Sequence, residues 1–286
     1  MWLILAVCSA VFAGLTSILA KCGLKDVDST VATAYRTIVA MLFAWLIVLI
    51  SGSYVQLDSI DGNAWIFLIL SGLATGASWL CYFKALQIGN VNKVVPVDKS
   101  STVMAILLAI ILLGETLTVF GIIGVALIMI GTLMMIEKKD VEEMDDKGSS
   151  WLLFALGSAV FAALTSILGK VGMEGIDSNL GTAIRTVVVL GMSWAMIYVS
   201  GKKDRIHGIE RRDMLFIILS GLATGSSWLC FFGALQMGPA SIIIPIDKLS
   251  ILVAIAFSYL VFKETLSKKA GIGLAGIVAG TLLLLV

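Results

Sequence analysis

Polarity along the chain comes in long blocks. Ten apolar runs of about 17–23 residues alternate with short connections that carry glycine, proline and charge. Five runs cover approximately 2–20, 31–50, 64–86, 93–113 and 118–136, and five more cover approximately 151–169, 181–199, 214–236, 242–262 and 269–286. At a helical rise of about 1.5 Å per residue, each run spans a hydrocarbon core of roughly 30 Å. The one extended polar stretch, EKKDVEEMDDKGSS at 137–150, reads as a flexible tether between two units.

The two sets of runs are copies of each other. Residues 1–137 align without a gap to residues 150–286 at an offset of 149, with roughly 60 of about 136 positions identical. SGLATG at 71–76 returns at 220–225, and Pro96, Asp98 and Lys99 return as Pro245, Asp247 and Lys248. The predicted domains are therefore 1–137 and 150–286, joined by a tether at 138–149. A unit that crosses a membrane five times ends opposite to where it began, so a fused second copy lies upside down. The expected fold is an all-α integral membrane protein of ten transmembrane helices, arranged as two inverted five-helix repeats.

Composition agrees with lipid as the solvent. Hydrophobic residues make up 59% of the chain, charged residues only 14%, and the mean hydropathy is +1.04. Cys8, Cys22, Cys81 and Cys230 lie in or beside apolar runs and form no CxxC pair, which argues against a disulfide framework or a zinc site. The first run lacks a basic leader and an AxA-type cleavage site, so it reads as a retained span. With the amino terminus placed outside, fourteen Lys and Arg residues fall in inner connections and only Lys170 in an outer one. The excess of inner positive charge predicts both termini outside the plasma membrane and the tether in the cytoplasm. GxxxxGKS, HExxH and GxSxG motifs are absent, which disfavours an ATP-driven pump or an enzyme. No cofactor, metal or nucleic-acid partner is expected.

Seven charges remain at lipid depth: Arg36, Lys84, Lys99, Arg185, Lys248, Asp98 and Asp247. Each costs at least about 2.5–3.5 kcal/mol there, so each needs a partner or water. Arg36, Asp98, Lys99 and Trp79 converge on one layer, and Arg185, Asp247, Lys248 and Trp228 repeat that layer from the opposite face. Pro96 and Pro245, just before the acidic residues, each remove a backbone hydrogen bond and free carbonyls at the same level. Two readings stay open. Either Asp98 neutralises Arg36 and Asp247 neutralises Arg185 as buried glue, or Lys99 and Lys248 line a substrate path. Lys21 and Lys170 sit at the lipid boundary, and Glu115 and Glu264 read as caps of the helices they precede. Gly124 and Gly131, matched by Gly273 and Gly280, put glycines on one face of the last helix of each copy. That face predicts an interface between the copies or a homodimer.

Several segments carry a family likeness: TSILAKCG (16–23), AYRT (34–37), SGLATGASWLCYFKALQ (71–87), VPVDK (95–99) and GETL (114–117). Together they resemble the drug/metabolite transporter superfamily, and more narrowly its EamA-type repeats and the five-helix bacterial and archaeal transporters of one copy's length. The resemblance implies ten helices in two inverted repeats that export or exchange small metabolites. Each copy holds one carboxylate for two deep basic groups. The expected function is therefore a secondary transporter, working by alternating access, for a small metabolite bearing a carboxylate, a phosphate or a zwitterion. The alternative is a non-transporting membrane scaffold or an accessory subunit of a lipid-modifying system. The expected partners are a small-molecule substrate and the lipid bilayer.

Overall fold

A computed structural model describes residues 1–23, 27–88, 91–135, 150–262 and 267–286. The 138–149 tether, Glu264 and the side chains of Lys21 and Pro96 lie outside the described residues. The described fold is helical throughout: α1 (Trp2–Gly23), α2 (Ser29–Ser51), α3 (Gly62–Ile88), α4 (Val91–Lys99), α5 (Ser101–Leu113) and α6 (Val119–Met134), then α7 (Ser150–Gly172), α8 (Ser178–Val199), α9 (Arg211–Met237), α10 (Ala240–Lys248), α11 (Ser250–Phe262) and α12 (Lys268–Leu283). Among the described residues, seven stretches are long and apolar enough to cross a membrane, and α6 is a shorter apolar helix. The helices start and stop where the local chemistry says they should. Asp28 caps α2 by accepting from the Thr30 N–H at 2.9 Å, and Thr118 caps α6 by accepting from Gly121 at 3.0 Å. Gly52 ends α2 at φ +73°, a conformation that needs no Cβ.

The expected runs at 93–113 and 242–262 are not single helices. Each breaks partway, at Ser100 and at Leu249. Pro245 lacks the N–H that would hold the preceding turn of α10. Downstream the chain tightens, with Leu249 N–H donating to the Ile246 carbonyl at 2.9 Å and Leu252 N–H to Leu249 at 2.8 Å. At Ser100 both the N–H and the hydroxyl donate to the Val97 carbonyl, at 3.2 and 2.6 Å.

Most packing joins one copy to the other. α1 lies on α9, α3 on α7, α2 on α8 and α9, and α6 on α12. The main apolar core mixes Val48, Leu68 and Ala109 of copy one with Ile167, Phe232 and Ile243 of copy two. The partners run antiparallel. On α3 and α7, Ser71 meets Thr165 whereas the later Ser78 meets the earlier Ser158. On α6 and α12, a Cβ added to Gly124 would stand 2.5 Å from the Gly280 carbonyl oxygen, and one on Gly131 would stand 2.4 Å from that of Gly273. The glycine faces anticipated from sequence thus fill each other within the chain. Buried polar positions are mainly Ser and Thr, while Ile50, Ile111 and Leu153 are more than 70% exposed on the outside. A small-residue interior inside an aliphatic coat is the pattern of helices solvated by lipid.

Candidate functional site

The broken helices deliver charge to a shared space. α4 ends on Asp98 and Lys99, and α10 ends on Asp247 and Lys248. Lys99 and Lys248 line one cavity of about 410 Å³, together with Asp247 and the hydroxyl residues Ser17, Thr102 and Thr132. Neither ammonium forms a hydrogen bond or ion pair with a described residue. Two lysines and one aspartate leave these walls with one positive charge in excess. Half-helix ends meeting inside a bundle present backbone and charge to a ligand without exposing them to lipid. Arg36, Arg185, Trp79 and Trp228, expected near the same space, are not part of these walls.

The carboxylates do not neutralise the arginines. Asp98 accepts a 2.6 Å hydrogen bond from Ser158 Oγ, and Asp247 accepts one of 2.6 Å from Ser9 Oγ. Each serine also touches a second one, Ser78 or Ser227, across the helix pair, at 3.3 Å in both copies. The reason is topological. The first helix of each copy packs on the broken helix of the other, α7 on α4 and α1 on α10, so a hydroxyl reaches the carboxylate. Ser9 and Ser158 were missed in the sequence. Their only signal is identity at matching positions, which apolar packing would also explain.

Arg185 is 1% exposed and is held without an acid. Its Nε donates to Ser71 Oγ at 3.2 Å and its Nη2 to Thr75 Oγ1 at 2.8 Å. The guanidinium carbon lies 4.1 Å from the ring centre of Phe232 and 5.5 Å from that of Trp228. Nη1 is buried without a partner among the described residues. Arg36 instead borders a small cavity of about 50 Å³ with Ala20, Thr33 and Ser220. Trp79, at the position matching Trp228, is half-buried and has no such contact among the described residues.

Lys170 lies at a clamp. Its ammonium donates to Glu115 Oε1 at 3.0 Å and to the Gly238 carbonyl at 2.6 Å. Glu115 also accepts from the N–H groups of Ala240 and Ser241, at 2.7 and 2.8 Å. The sequence reading had Glu115 capping its own next helix. It caps α10 of the other copy, because Thr118 already serves α6. Burial pushes the Glu115 carboxyl up, but the hydrogen bonds from Ser241, Ala240 and Lys170 outweigh it and hold the carboxyl below its ordinary value. At another connection, Asp28 pairs with Lys202 at 2.9 Å and with Arg205 at 3.6 Å.

The EamA-like transporter family matches residues 1–137 and again 149–286. A Sinorhizobium protein, named as an uncharacterized transporter in the cobO 3′ region, is 46% identical over 137 residues. That match covers 48% of this chain and 97% of the relative, which is therefore about one copy long. Human solute carrier family 35 member G1 is 28% identical over 209 residues, which cover 70% of this chain and 56% of that protein. One solved crystal structure shares the fold at a TM-score of 0.78 and 14% identity, over 98% of this chain and 94% of that one. With the family matched over both copies and apolar helices throughout, the chain belongs to the EamA-like transporter family and is a membrane protein.

Proposed function

We propose that the chain is a secondary transporter of a small metabolite carrying a carboxylate, a phosphate or a zwitterion, and that it works by alternating access in the plasma membrane. The observation that carries this reading is the cavity of about 410 Å³ shared by Lys99 and Lys248, which come from equivalent positions of the two copies. Unpaired ammonium groups with hydroxyls beside them suit an anionic ligand, and the break in each fourth helix gives that ligand a site off the lipid.

The proposed frame is ten spans in two inverted five-helix repeats, 1–137 and 150–286. The antiparallel registers of α1 with α9, α3 with α7 and α6 with α12 support it. So do the connections that meet. Asp28 pairs with Lys202 between two connections assigned to the cytoplasm, while Gln56 meets Asp177, and Glu115 meets Lys170, on the side assigned to the outside. The cavity also suits alternation. Its wall extends to Met135 at the end of α6 on the proposed cytoplasmic side, whereas the Glu115–Lys170 clamp holds the opposite side.

Uptake and ligand stabilisation test the reading. Purified protein should be stabilised by succinate or glycerol 3-phosphate, by about 2.7 kcal/mol at 100 times the Kd. Lys99→Met and Lys248→Met should each abolish that stabilisation and the uptake while leaving the unliganded melting temperature nearly unchanged. Normal uptake in both variants, or unfolding of both, defeats the anion site.

A further inference from the structure

Arg36 and Arg185 hold equivalent positions in nearly equivalent backbones. A Cβ on Gly72 would stand 2.8 Å from the Arg185 carbonyl oxygen, and one on Gly221 would stand 2.9 Å from that of Arg36. The hydroxyls beside them also match. Ser71 donates to the Thr165 carbonyl and Thr75 to that of Ser71, as Ser220 does to Thr16 and Thr224 to Ser220. With their protons engaged on carbonyls, these hydroxyls have only lone pairs left, so each set can receive a donor but not an anion. Arg185 fills one set. Arg36 shares its cavity with one member of the other, Ser220, and makes no hydrogen bond or ring contact with a described residue.

Of Ser71, Thr75, Gly169, Trp228 and Phe232, the residues set around Arg185, only Gly169 has a different equivalent in the other copy, and the difference is one methyl group. Phe232, stacked on Arg185, rests so closely on Gly169 that a Cβ there would stand 2.4 Å from its Cε1 and 3.1 Å from Ser71 Oγ. The residue equivalent to Gly169 is Ala20, and the one equivalent to Phe232 is Phe83. A Phe83 ring placed in the same way would overlap the Ala20 methyl, and close-packed interiors do not allow that overlap. Ala20 and Arg36 instead border the cavity of about 50 Å³.

We propose that Arg185, Phe232 and Gly169 form a latch that seals one end of the molecule. The methyl of Ala20 denies Arg36 and Phe83 the same latch, so the protein rests sealed at the Arg185 end and open at the other. The exchange of ends rests on the inverted-repeat, alternating-access reading above. Both arginines are positioning residues, since neither lines the lysine cavity. Ser17 and its equivalent Ser166 report the state, for Ser17 is exposed in the cavity wall whereas Ser166 is 8% exposed.

The test is the rate of alkylation by a charged maleimide on purified full-length protein in detergent. The four native cysteines are replaced, and Ser17→Cys or Ser166→Cys is introduced. The thiol at position 17 should react fast and the one at 166 slowly. Gly169→Ala should speed labelling at 166 and slow it at 17, the ratio of the two rates changing by about thirtyfold, the scale of one desolvated cation–π contact. Ala20→Gly, which adds no atom and carries the test if the first variant misfolds, should slow position 17 and speed position 166. Acceleration at both positions, or no change in either, overturns the latch, because simple loosening gives no reciprocal shift. Reciprocal shifts in a protein that takes up no anion would keep the latch and sink the transport reading. Uptake with unmoved labelling would do the reverse.

Discussion

Without the carboxylate of Glu115, two N–H groups that open α10 would have no partner. Glu115→Gln keeps the size and one acceptor but loses the charge shared with Lys170. It should cost about 1–3 kcal/mol in thermal unfolding at neutral pH. The pH dependence has a definite sign. The folded carboxyl lies below its ordinary value of 4.5, so its stabilisation is complete above that value and is lost as pH falls through the folded one. The gap in stability between the native chain and Glu115→Gln should therefore close as pH falls below about 4.5. A gap that stays constant down to pH 3 would show that the carboxylate charge contributes nothing. That Glu115 caps a helix was legible from its position ahead of a turn. Which helix it caps was not, since Ala240 lies 125 residues away in the chain. The same holds for Asp98 and Asp247. One of the two readings of the charges paired them with arginines, and the hydroxyls that bind them sit in apolar runs where serine reads as packing.

Among the elements, α6 and α12 show how glycine sets the distance between helices. A methyl on Gly131 would meet two backbone atoms, the Gly273 carbonyl oxygen at 2.4 Å and the Ile277 nitrogen at 2.9 Å, and backbone cannot step aside as a side chain does. Gly131→Ala should destabilise the protein by at least about 1–3 kcal/mol, the usual scale of overpacking. Gly191, inside α8, has nothing within 4 Å of its added Cβ. Gly191→Ala should be neutral or stabilising by up to about 1 kcal/mol, through helix propensity alone. Equal melting temperatures for the two variants would contradict the close α6–α12 contact. The helices themselves were readable from run length, and the glycine spacing correctly named an interface. The breaks at Ser100 and Leu249 were not placed, because proline announces a weakened turn but not how far downstream the chain releases it.

At the scale of the molecule, the repeat and the loop charges predict sidedness. In a cysteine-free background, Val55→Cys should label from outside intact cells, and His207→Cys should label only after permeabilisation. Both positions are exposed. Labelling of position 207 in intact cells would reverse the orientation. The apolar runs and their duplication made the membrane fold legible in the sequence. The cavity was legible only in kind, since charges of two copies meet in one space only once the helices of one copy lie between those of the other.

That interleaving bears on how the protein is made. The helices of copy one bury little against each other and find their main partners on α7, α8, α9 and α12. The last of those partners, α12, is complete only after another 150 or so residues are translated, roughly 7–30 s at 5–20 residues per second. During that delay the first copy sits in the bilayer with its hydroxyl and glycine faces unmatched. Its main packing begins only as the second copy is inserted.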